Sequence, residues 1–229
     1  MKIHKPHRIP HHMIRFIQQM VRKIARKPGC YRRVRNLKFL PAYLRSRVVP
    51  EIDASMPWLN YELCDYMKKQ PRGQVIEFGA GRSTVWLARQ GFRVLSVEHD
   101  KEWAGKVRQE IQRLNLESRV DLHLVETDPA GQENPASYLR PVLDPPGITG
   151  VRFILVDGIF RNECLEACAA RFGRRTPLLL HDSDWPGYQT TIDLLARTQG
   201  FRIKDIFGPG YGTPDFTSAT IFDDPDQES

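Results

Sequence analysis

The segment Val75 to Thr84 constrains the fold of this chain more than any other part of the sequence. It reads Val-Ile-Glu-Phe-Gly-Ala-Gly-Arg-Ser-Thr, an apolar run followed by two glycines and by polar residues that suit the first turn of a helix. Gly79 can adopt backbone angles that other residues avoid, and Gly81 allows a ligand to approach the main chain closely. The segment predicts a buried strand that turns into a helix, with a nucleotide-like ligand at the turn.

The residues around this turn favour a ligand that carries positive charge over a dinucleotide. A dinucleotide fingerprint has a third glycine at position 84, where this chain has Thr84. Dinucleotide sites also hold a pyrophosphate at the helix N-terminus, where a carboxylate such as Glu77 would repel it. We therefore expect Glu77, Gly79, Gly81 and Ser83 to belong to the site of a cationic ligand.

Apolar runs and amphipathic segments alternate along the rest of the chain. Strands are predicted near 75–79, 93–98, 120–126, 153–157, 177–181, 201–207 and 217–222, and helices near 58–69, 83–90, 101–115, 161–172 and 187–199. Ser55 is the predicted cap of the first helix, and Gly208 to Gly210 the turn before the last strand. The pattern predicts an α/β fold: a Rossmann-like, seven-stranded, mostly parallel sheet with helices on both faces and an antiparallel last strand.

Charge divides the chain into a basic extension and an acidic domain. Residues 1–49 contain fourteen Lys or Arg and no acid, whereas residues 50–229 contain twenty Lys or Arg against 27 acids, a net charge of −7. We predict a basic helical extension over 1–49, a catalytic domain over 50–223 and an acidic disordered tail over 224–229. The sequence shows neither a membrane-spanning run, a secretory signal nor a Cys-x-x-Cys pair, which predicts a cytoplasmic protein.

Apolar residues recur with a helical period over residues 13–27, and basic residues occupy the other face of that predicted helix. Three interpretations of this helix remain open. It docks on its own domain, it lies on an anionic membrane surface, or it binds nucleic acid. The second would place the protein at the inner face of the membrane.

Acidic residues follow several predicted strands, at the edge where open α/β sheets bind ligands. Glu98 ends the second strand, at about the distance from Gly79 expected of a carboxylate that binds ribose hydroxyls. Asp128 follows the third strand and Asp157 ends the fourth. Residues 128–150 contain five prolines and three glycines, which predicts a long loop, and we interpret this loop as a substrate lid.

The fifth predicted strand leads into the polar segment His181-Asp182-Ser183-Asp184-Trp185. Asp157 and Asp182 are expected on neighbouring strands, facing one cleft. In one interpretation, His181 or Asp157 is a general base that takes a proton from a substrate hydroxyl. In the other, Asp157 and Asp182 hold a divalent cation such as Mg²⁺, which lowers the pKa of that hydroxyl.

Three more residues are candidates for substrate contact. Asp184 and Trp185 belong to the polar segment after the fifth strand. Arg161 begins a predicted helix, where the helix dipole does not favour a cation. It therefore needs a partner, either Asp157 or an anionic group of the substrate.

The order Glu77-x-Gly79-x-Gly81, then Glu98, then Asp157 resembles that of the class I S-adenosylmethionine (SAM) dependent methyltransferases. Their first motif is acidic-x-Gly-x-Gly-x-Gly, and Ser83 stands at its last glycine. The resemblance covers about residues 55–222. It implies SAM as cofactor, an adenine contact near Asp128 and a methyltransferase activity.

Oxygen is the favoured acceptor atom, because neither an Asn/Asp-Pro-Pro-aromatic motif nor a Pro-Cys nucleophile follows the fourth strand. Val156 to Arg161 is similar to the Val-Asp-Gly-x-x-Arg of small bacterial methyltransferases, which implies a glycan or another small hydroxyl compound as acceptor. Two alternatives remain: an RNA-modifying methyltransferase that uses residues 1–49 as its recognition arm, and a non-catalytic membrane-attached module of the same fold.

Overall fold

The apolar runs of the sequence pair into one seven-stranded sheet. A computed structural model describes residues 57–126, 134–210 and 216–226. Its strands are β1 (Gln74–Phe78), β2 (Arg93–Glu98), β3 (Val120–Leu124), β4 (Val151–Val156), β5 (Leu178–His181), β6 (Arg202–Pro209) and β7 (Phe216–Asp223). Their order is β3-β2-β1-β4-β5-β7-β6; β1 to β5 pair in parallel, and β7 is antiparallel to both its neighbours. The predicted fold class is confirmed.

Helices cover both faces of the sheet, which is why the central strands are apolar on both sides. The helices are α1 (Tyr61–Lys69), α2 (Arg82–Arg89), α3 (Lys101–Arg113), α4 (Pro135–Leu143), α5 (Arg161–Phe172) and α6 (Gln189–Arg197). Ile76 and Phe78 pack in one core with residues of α4, α5 and α6. Val75 packs in a second core with residues of α1 and α2. None of the helices in the described part of the chain is long and apolar enough to cross a membrane.

Helix α1 begins later than the sequence predicted. Asn60 is its N-cap: the side-chain oxygen accepts a hydrogen bond from the N–H of Glu62 at 2.8 Å, and the side-chain amide donates to the carbonyl of Thr217 on β7. Trp58, predicted to be helical, therefore precedes the helix. Ser55 lies outside the described residues.

The segment 128–150 is not one long loop, and its interpretation as a lid is wrong for residues 135–143. These residues form α4, which Asn134 caps by accepting from the N–H of Ala136 at 3.0 Å. Tyr138 of α4 is buried in the core. Proline content was misleading, because a proline in the first turn of a helix loses no hydrogen bond. Residues 127–133, including Asp128, lie outside the described residues.

The end of the chain also differs from the prediction. Gly208 and Pro209, predicted as a turn, extend β6 and pair with Thr217 and Phe216. Asp224, assigned to the acidic tail, is buried and lies 3.9 Å from Arg174. The connection at 211–215, the last residues 227–229 and the predicted helix at 13–27 lie outside the described residues.

Candidate ligand-binding site at the carboxyl ends of the strands

A cavity of about 430 Å³ opens at the carboxyl ends of β1, β2 and β4. This volume is typical of small-molecule and cofactor sites. Its walls are formed by Trp58, Leu59, Gly79, Ala80, Gly81, Arg82, Ser83, Glu98, His99, Asp100, Trp103, Asp157, Gly158 and Ile159. Five predicted site residues, Gly79, Gly81, Ser83, Glu98 and Asp157, are therefore brought together here.

Two glycines form the floor of the cavity by bringing the ends of β1 and β4 into contact. Gly79 has φ +95°, and a Cβ there would stand 2.6 Å from the Cα of Gly158. A Cβ on Gly158 would stand 2.5 Å from the hydroxyl oxygen of Tyr138. That hydroxyl donates to the carbonyl of Val97 at 3.1 Å. Sequence reasoning missed Gly158 and Tyr138 as site residues; a glycine directly after a strand-end acid was the available signal.

Glu77 lies behind the cavity wall and is not among the lining residues. Its carboxylate is fully buried and accepts hydrogen bonds from the hydroxyls of Thr84 and Ser96. Thr84 Oγ1 in turn accepts from the N–H of Gly81 at 2.8 Å. Burial raises the pKa of Glu77 to about 7, although the surrounding hydroxyls oppose that shift. Glu77 thus holds the glycine turn in place, and direct contact with a cofactor stays a prediction.

Glu98 presents a fixed carboxylate at the cavity wall. Its side chain is buried, and Oε1 accepts from the N–H groups of His99 and Asp100, both at 2.8 Å. Asp100 also lines the cavity and caps α3 by accepting from the N–H of Trp103. Both carboxylates are therefore oriented before any ligand arrives, which lowers the entropic cost of binding.

Aromatic rings form the outer wall of the cavity. Trp103 donates its indole N–H to the carbonyl of Ala80 at 2.7 Å. Trp58 stacks on Trp103 with ring centroids 6.5 Å apart, and the guanidinium of Arg82 lies 4.7 Å from the centroid of Trp58. Trp103 was missed, because its position on an ordinary amphipathic helix gave no signal of a site.

Asp157 and His181 form a close pair at the ends of β4 and β5. His181 Nδ1 lies 2.9 Å from Asp157 Oδ1 and 3.6 Å from Asp182 Oδ2. Burial acts to lower the pKa of His181, but the charges of Asp157 and Asp182 outweigh it and raise that pKa. Burial acts to raise the pKa of Asp157, but His181 and Arg161 outweigh it and lower that pKa. Both shifts favour the charged forms of the two side chains, so each stabilises the other as an ion pair.

Asp157 alone of this group lines the cavity. His181 is 4% exposed, and its Nε2 has no hydrogen-bond partner among the described residues. Neither His181 nor Asp182 belongs to the cavity wall. Asp157 and Asp182 were expected to face one cleft, but only Asp157 lines the cavity.

Arg161 ties the ends of two strands together. Its guanidinium donates to the carbonyls of Gly158 at 2.8 Å, His181 at 2.6 Å and Asp157 at 2.8 Å. It also lies 3.2 Å from Asp157 Oδ1. Asp157 is therefore the partner that the sequence required, and a contact between Arg161 and a substrate stays a prediction.

The other two candidates for substrate contact lie apart from the cavity wall. Asp184 is buried, accepts from the Ser218 hydroxyl and donates its N–H to the same oxygen at 3.0 Å. Ser218 belongs to β7, so Asp184 joins the β5 end to that strand. Trp185 is 57% exposed and follows the carboxyl end of β5.

Ligand atoms for a metal are close together at one point of this edge. Asp157, His181 and Asp182 each offer one atom, and these atoms lie within 4.8 Å of one another. The Asp157 carboxylate already has two cationic neighbours, His181 and Arg161. A divalent cation would have to displace the His181 proton, so the donor set fits the ion pair better than a metal.

Comparison with known proteins gives a fold and no family. No family model and no curated protein sequence matches the chain. The O-methyltransferase TomG from Streptomyces achromogenes, solved with SAM, matches at TM-score 0.50 and 19% identity, over 71% of this chain and 77% of that one. Cofactor-bound Rv0187 from MTB matches at TM-score 0.52 and 20% identity, over 80% and 88%.

The METTL16 methyltransferase domain matches at TM-score 0.52 and 11% identity, over 71% of this chain. The matched part is 65% of that domain, just under two thirds of its length. This chain has the fold of these methyltransferases. At such low identity, the likeness supports the architecture, and the residues of the cavity must carry any argument about chemistry.

Proposed function

We propose that this protein transfers a methyl group from SAM to an oxygen atom of a sugar, a glycan or another small hydroxyl compound. One observation carries the proposal. The fixed carboxylate of Glu98 and the ion-paired carboxylate of Asp157 line the same cavity. Gly79 and Gly158, which also line it, bring the two strand ends close together because neither has a side chain. A ligand site and a proton acceptor therefore share one space.

The residues of the cavity fit SAM in charge and shape. Among the described residues that line the cavity, three carboxylates, Glu98, Asp100 and Asp157, stand against one guanidinium, that of Arg82. This charge balance favours a ligand with sulfonium and ammonium groups over a pyrophosphate. The Glu98 carboxylate is placed to accept hydrogen bonds from a ribose diol. The tryptophan rings attract a nearby cation by ~0.5–2 kcal/mol. SAM would supply an activated methyl group, which leaves positioning and proton removal to the protein.

Asp157 is the group that receives the proton of the acceptor hydroxyl. It reaches the cavity, whereas His181 and Arg161 orient its carboxylate from behind. The lowered pKa of Asp157 makes it a weak base while His181 is charged. When pH rises through the raised pKa of His181, Asp157 loses one cationic neighbour and becomes a stronger base. The rate of transfer should therefore increase toward alkaline pH.

A divalent cation is the second route to the same chemistry. Asp157 and Asp182, with His181, would hold it, and it would lower the pKa of the acceptor hydroxyl as a Lewis acid. The three ligand atoms lie within 4.8 Å of one another, which is close enough to share one cation, although the ion pair of Asp157 and His181 fits the same atoms better. Activity that is lost on chelation and restored by Mg²⁺ would favour the cation over the ion pair.

Cofactor binding is tested by calorimetry with S-adenosylhomocysteine on matched variants. Glu98→Lys places a cation at the proposed ribose site and should abolish binding. Glu117→Lys makes the same charge change at an exposed carboxylate before β3, at the opposite edge of the sheet, and should leave binding unchanged. Unchanged affinity in Glu98→Lys would refute the ribose assignment, and no binding by the unaltered protein would refute the cofactor.

The acceptor is tested by transfer of radiolabelled methyl groups from SAM to a panel of sugars, glycans and small phenols. Product on a hydroxyl oxygen, identified by mass spectrometry, would support the proposal. Binding of the cofactor without transfer to any hydroxyl compound would instead favour the non-catalytic module.

The basic extension, residues 1–49, suggests where the protein acts and also a second candidate function. We place the protein in the cytoplasm, held at the inner face of the membrane when residues 13–27 bind anionic lipid. The alternative is an RNA-modifying methyltransferase that uses residues 1–49 as a recognition arm, because those residues contain fourteen cations and no acid. RNA binding that depends steeply on salt and is lost on deletion of residues 1–49 would favour this alternative.

A further inference from the structure

The amino edge of the sheet, opposite the cavity, carries a row of arginines with one member per strand. In spatial order these are Arg119 before β3, Arg93 at the start of β2, Arg72 before β1 and Arg152 in β4. All four are exposed. Neighbouring strands lie ~4.8 Å apart, so this arginine row spans roughly 14 Å.

Contacts around two glycine loops hold the row together. Arg119 donates to the carbonyl of Gly91 at 3.2 Å, and a Cβ on Gly91 would stand 3.6 Å from Arg72 Cδ. A Cβ on Gly73 would stand 2.7 Å from Arg152 Nε. The guanidinium of Arg72 also covers the ring of Phe92, 4.6 Å from its centroid. Arg119, Arg72 and Arg152 therefore rest against neighbouring loops, and Arg93 is placed between them by the start of β2.

The row has no carboxylate within ion-pair distance among the residues that the structure describes. This is unusual in a domain whose net charge over 50–229 is −7. Helix dipoles account for cations in the last turns of α1, α2 and α5, where Lys69, Arg89 and Arg171 stand. Arg72 likewise donates to the carbonyls of Lys68 and Gln70 at the end of α1. No α-helix end accounts for Arg93, Arg119 and Arg152.

We infer that this basic end of the domain docks on an anionic lipid surface. The cations extend from the sheet edge onto helices on both faces, so they form a broad face rather than a single track. A broad basic face suits a plane of lipid headgroups. Nucleic-acid sites usually add exposed aromatic rings for base stacking. The exposed tryptophans of the described residues, Trp58 and Trp185, stand at the opposite edge.

This docking orients the enzyme. With the arginine row against the headgroups, the cavity opens away from the bilayer, one strand length above it. The surface lies in the folded domain and is independent of the basic helix predicted at residues 13–27. It also stands or fails independently of the proposed methyl transfer.

The test is sedimentation of the full-length protein with phosphatidylcholine vesicles that contain or lack phosphatidylglycerol. The variant Arg93→Glu/Arg152→Glu should bind the anionic vesicles at least ~25-fold more weakly, because each lost cation costs roughly fivefold in affinity and each new carboxylate adds repulsion. The matched control, Lys101→Glu/Lys106→Glu, reverses two exposed lysines in the first turns of α3, at the opposite edge of the sheet, and should lose much less affinity. Circular dichroism melting verifies that both variants fold.

The inference would be overturned if the two double variants lost vesicle affinity equally, or if Arg93→Glu/Arg152→Glu lost none. It would also be overturned if that variant lost affinity for a single-stranded RNA oligonucleotide while its vesicle binding was unchanged. Added salt should weaken vesicle binding of the unaltered protein and reduce the difference between the variants.

Discussion

The two edges of the parallel sheet carry opposite charge and use their polar groups differently. At the carboxyl edge, Glu77, Glu98 and Asp157 are held by hydroxyls, backbone N–H groups or cations, and the first two are buried. At the amino edge, the arginine row is exposed, and Arg72 and Arg119 donate to backbone carbonyls. Buried and fixed groups build a site of defined geometry, whereas exposed cations act through a long-range field.

Alanine substitutions of the glycines before and after β1 should give the largest difference in stability between the two edges. Gly79→Ala forces a positive φ on a side chain and places its Cβ against the Gly158 main chain, so it should destabilise the fold by ~3 kcal/mol. Gly73→Ala meets only the flexible Arg152 side chain and should cost less than ~1 kcal/mol. Urea denaturation of both variants measures the difference. Equal costs would show that the carboxyl edge is no more tightly packed than the amino edge.

The buried carboxylate behind the cavity should make stability depend on pH. The pKa of Glu77 is about 7 in the folded protein and 4.5 ordinarily, so the folded state retains a proton that the unfolded state releases between those values. The stability associated with that proton is present below pH 4.5 and lost as pH rises through 7, a change of ~3 kcal/mol.

Glu77→Gln removes this dependence. Its stability relative to the unaltered protein should therefore improve by about 3 kcal/mol between pH 4.5 and 8, as measured by urea denaturation at several pH values. The exposed Glu126→Gln is the control and should show no such trend. A difference that is constant with pH would mean that Glu77 is ionised throughout.

The Asp157–His181 pair should contribute somewhat less to the free energy of unfolding than the proton on Glu77 does. His181→Gln removes the cation beside Asp157 but leaves Arg161, so we expect a loss of ~2 kcal/mol near pH 6. The His181 contribution is present below its ordinary pKa of 6.5 and is lost as pH rises through the raised value. The Asp157 contribution is present above 3.8 and is lost as pH falls through the lowered value.

Urea denaturation across pH measures this window. The difference between His181→Gln and the unaltered protein should be largest between about pH 4 and 6.5 and should shrink on either side. A difference that grows toward alkaline pH would contradict the ion pair and indicate a neutral histidine.

A substitution in the aromatic wall of the cavity should have the smallest effect on stability and on ligand affinity. Trp103→Phe removes the hydrogen bond to Ala80 and part of the stacking surface on Trp58. Both stability and the free energy of S-adenosylhomocysteine binding should fall by ~1 kcal/mol. Denaturation and calorimetry measure the two quantities separately. A loss of stability with unchanged affinity would exclude Trp103 from the ligand-binding wall.

Much of the fold was predictable because strands buried on both faces leave long apolar runs in the sequence. The position of α4 was not, since Pro135 and Pro141 read as loop signals although the helix forms around them. In the site, strand ends located Glu98 and Asp157 correctly at one edge. The sequence could not show that Glu77, which lies inside β1, is behind the wall, because acids inside a strand and acids at its end both occur next to the glycine turn.

Contacts between segments that are far apart in the chain could not be predicted from the sequence either. Gly158 meets Gly79 across two neighbouring strands, and Asp184 meets Ser218 on β7. The arginine row became visible only when the strand order placed Arg119, Arg93, Arg72 and Arg152 side by side. These features depend on tertiary proximity, which residue spacing along one chain does not encode.

Calorimetry of the unaltered protein with S-adenosylhomocysteine and with NAD⁺, at the same pH and salt, decides whether the cavity is a SAM site. S-adenosylhomocysteine should bind and NAD⁺ should not, because Glu98, Asp100 and Asp157 line the cavity and repel a pyrophosphate. Binding of NAD⁺, or of neither ligand, would contradict this assignment.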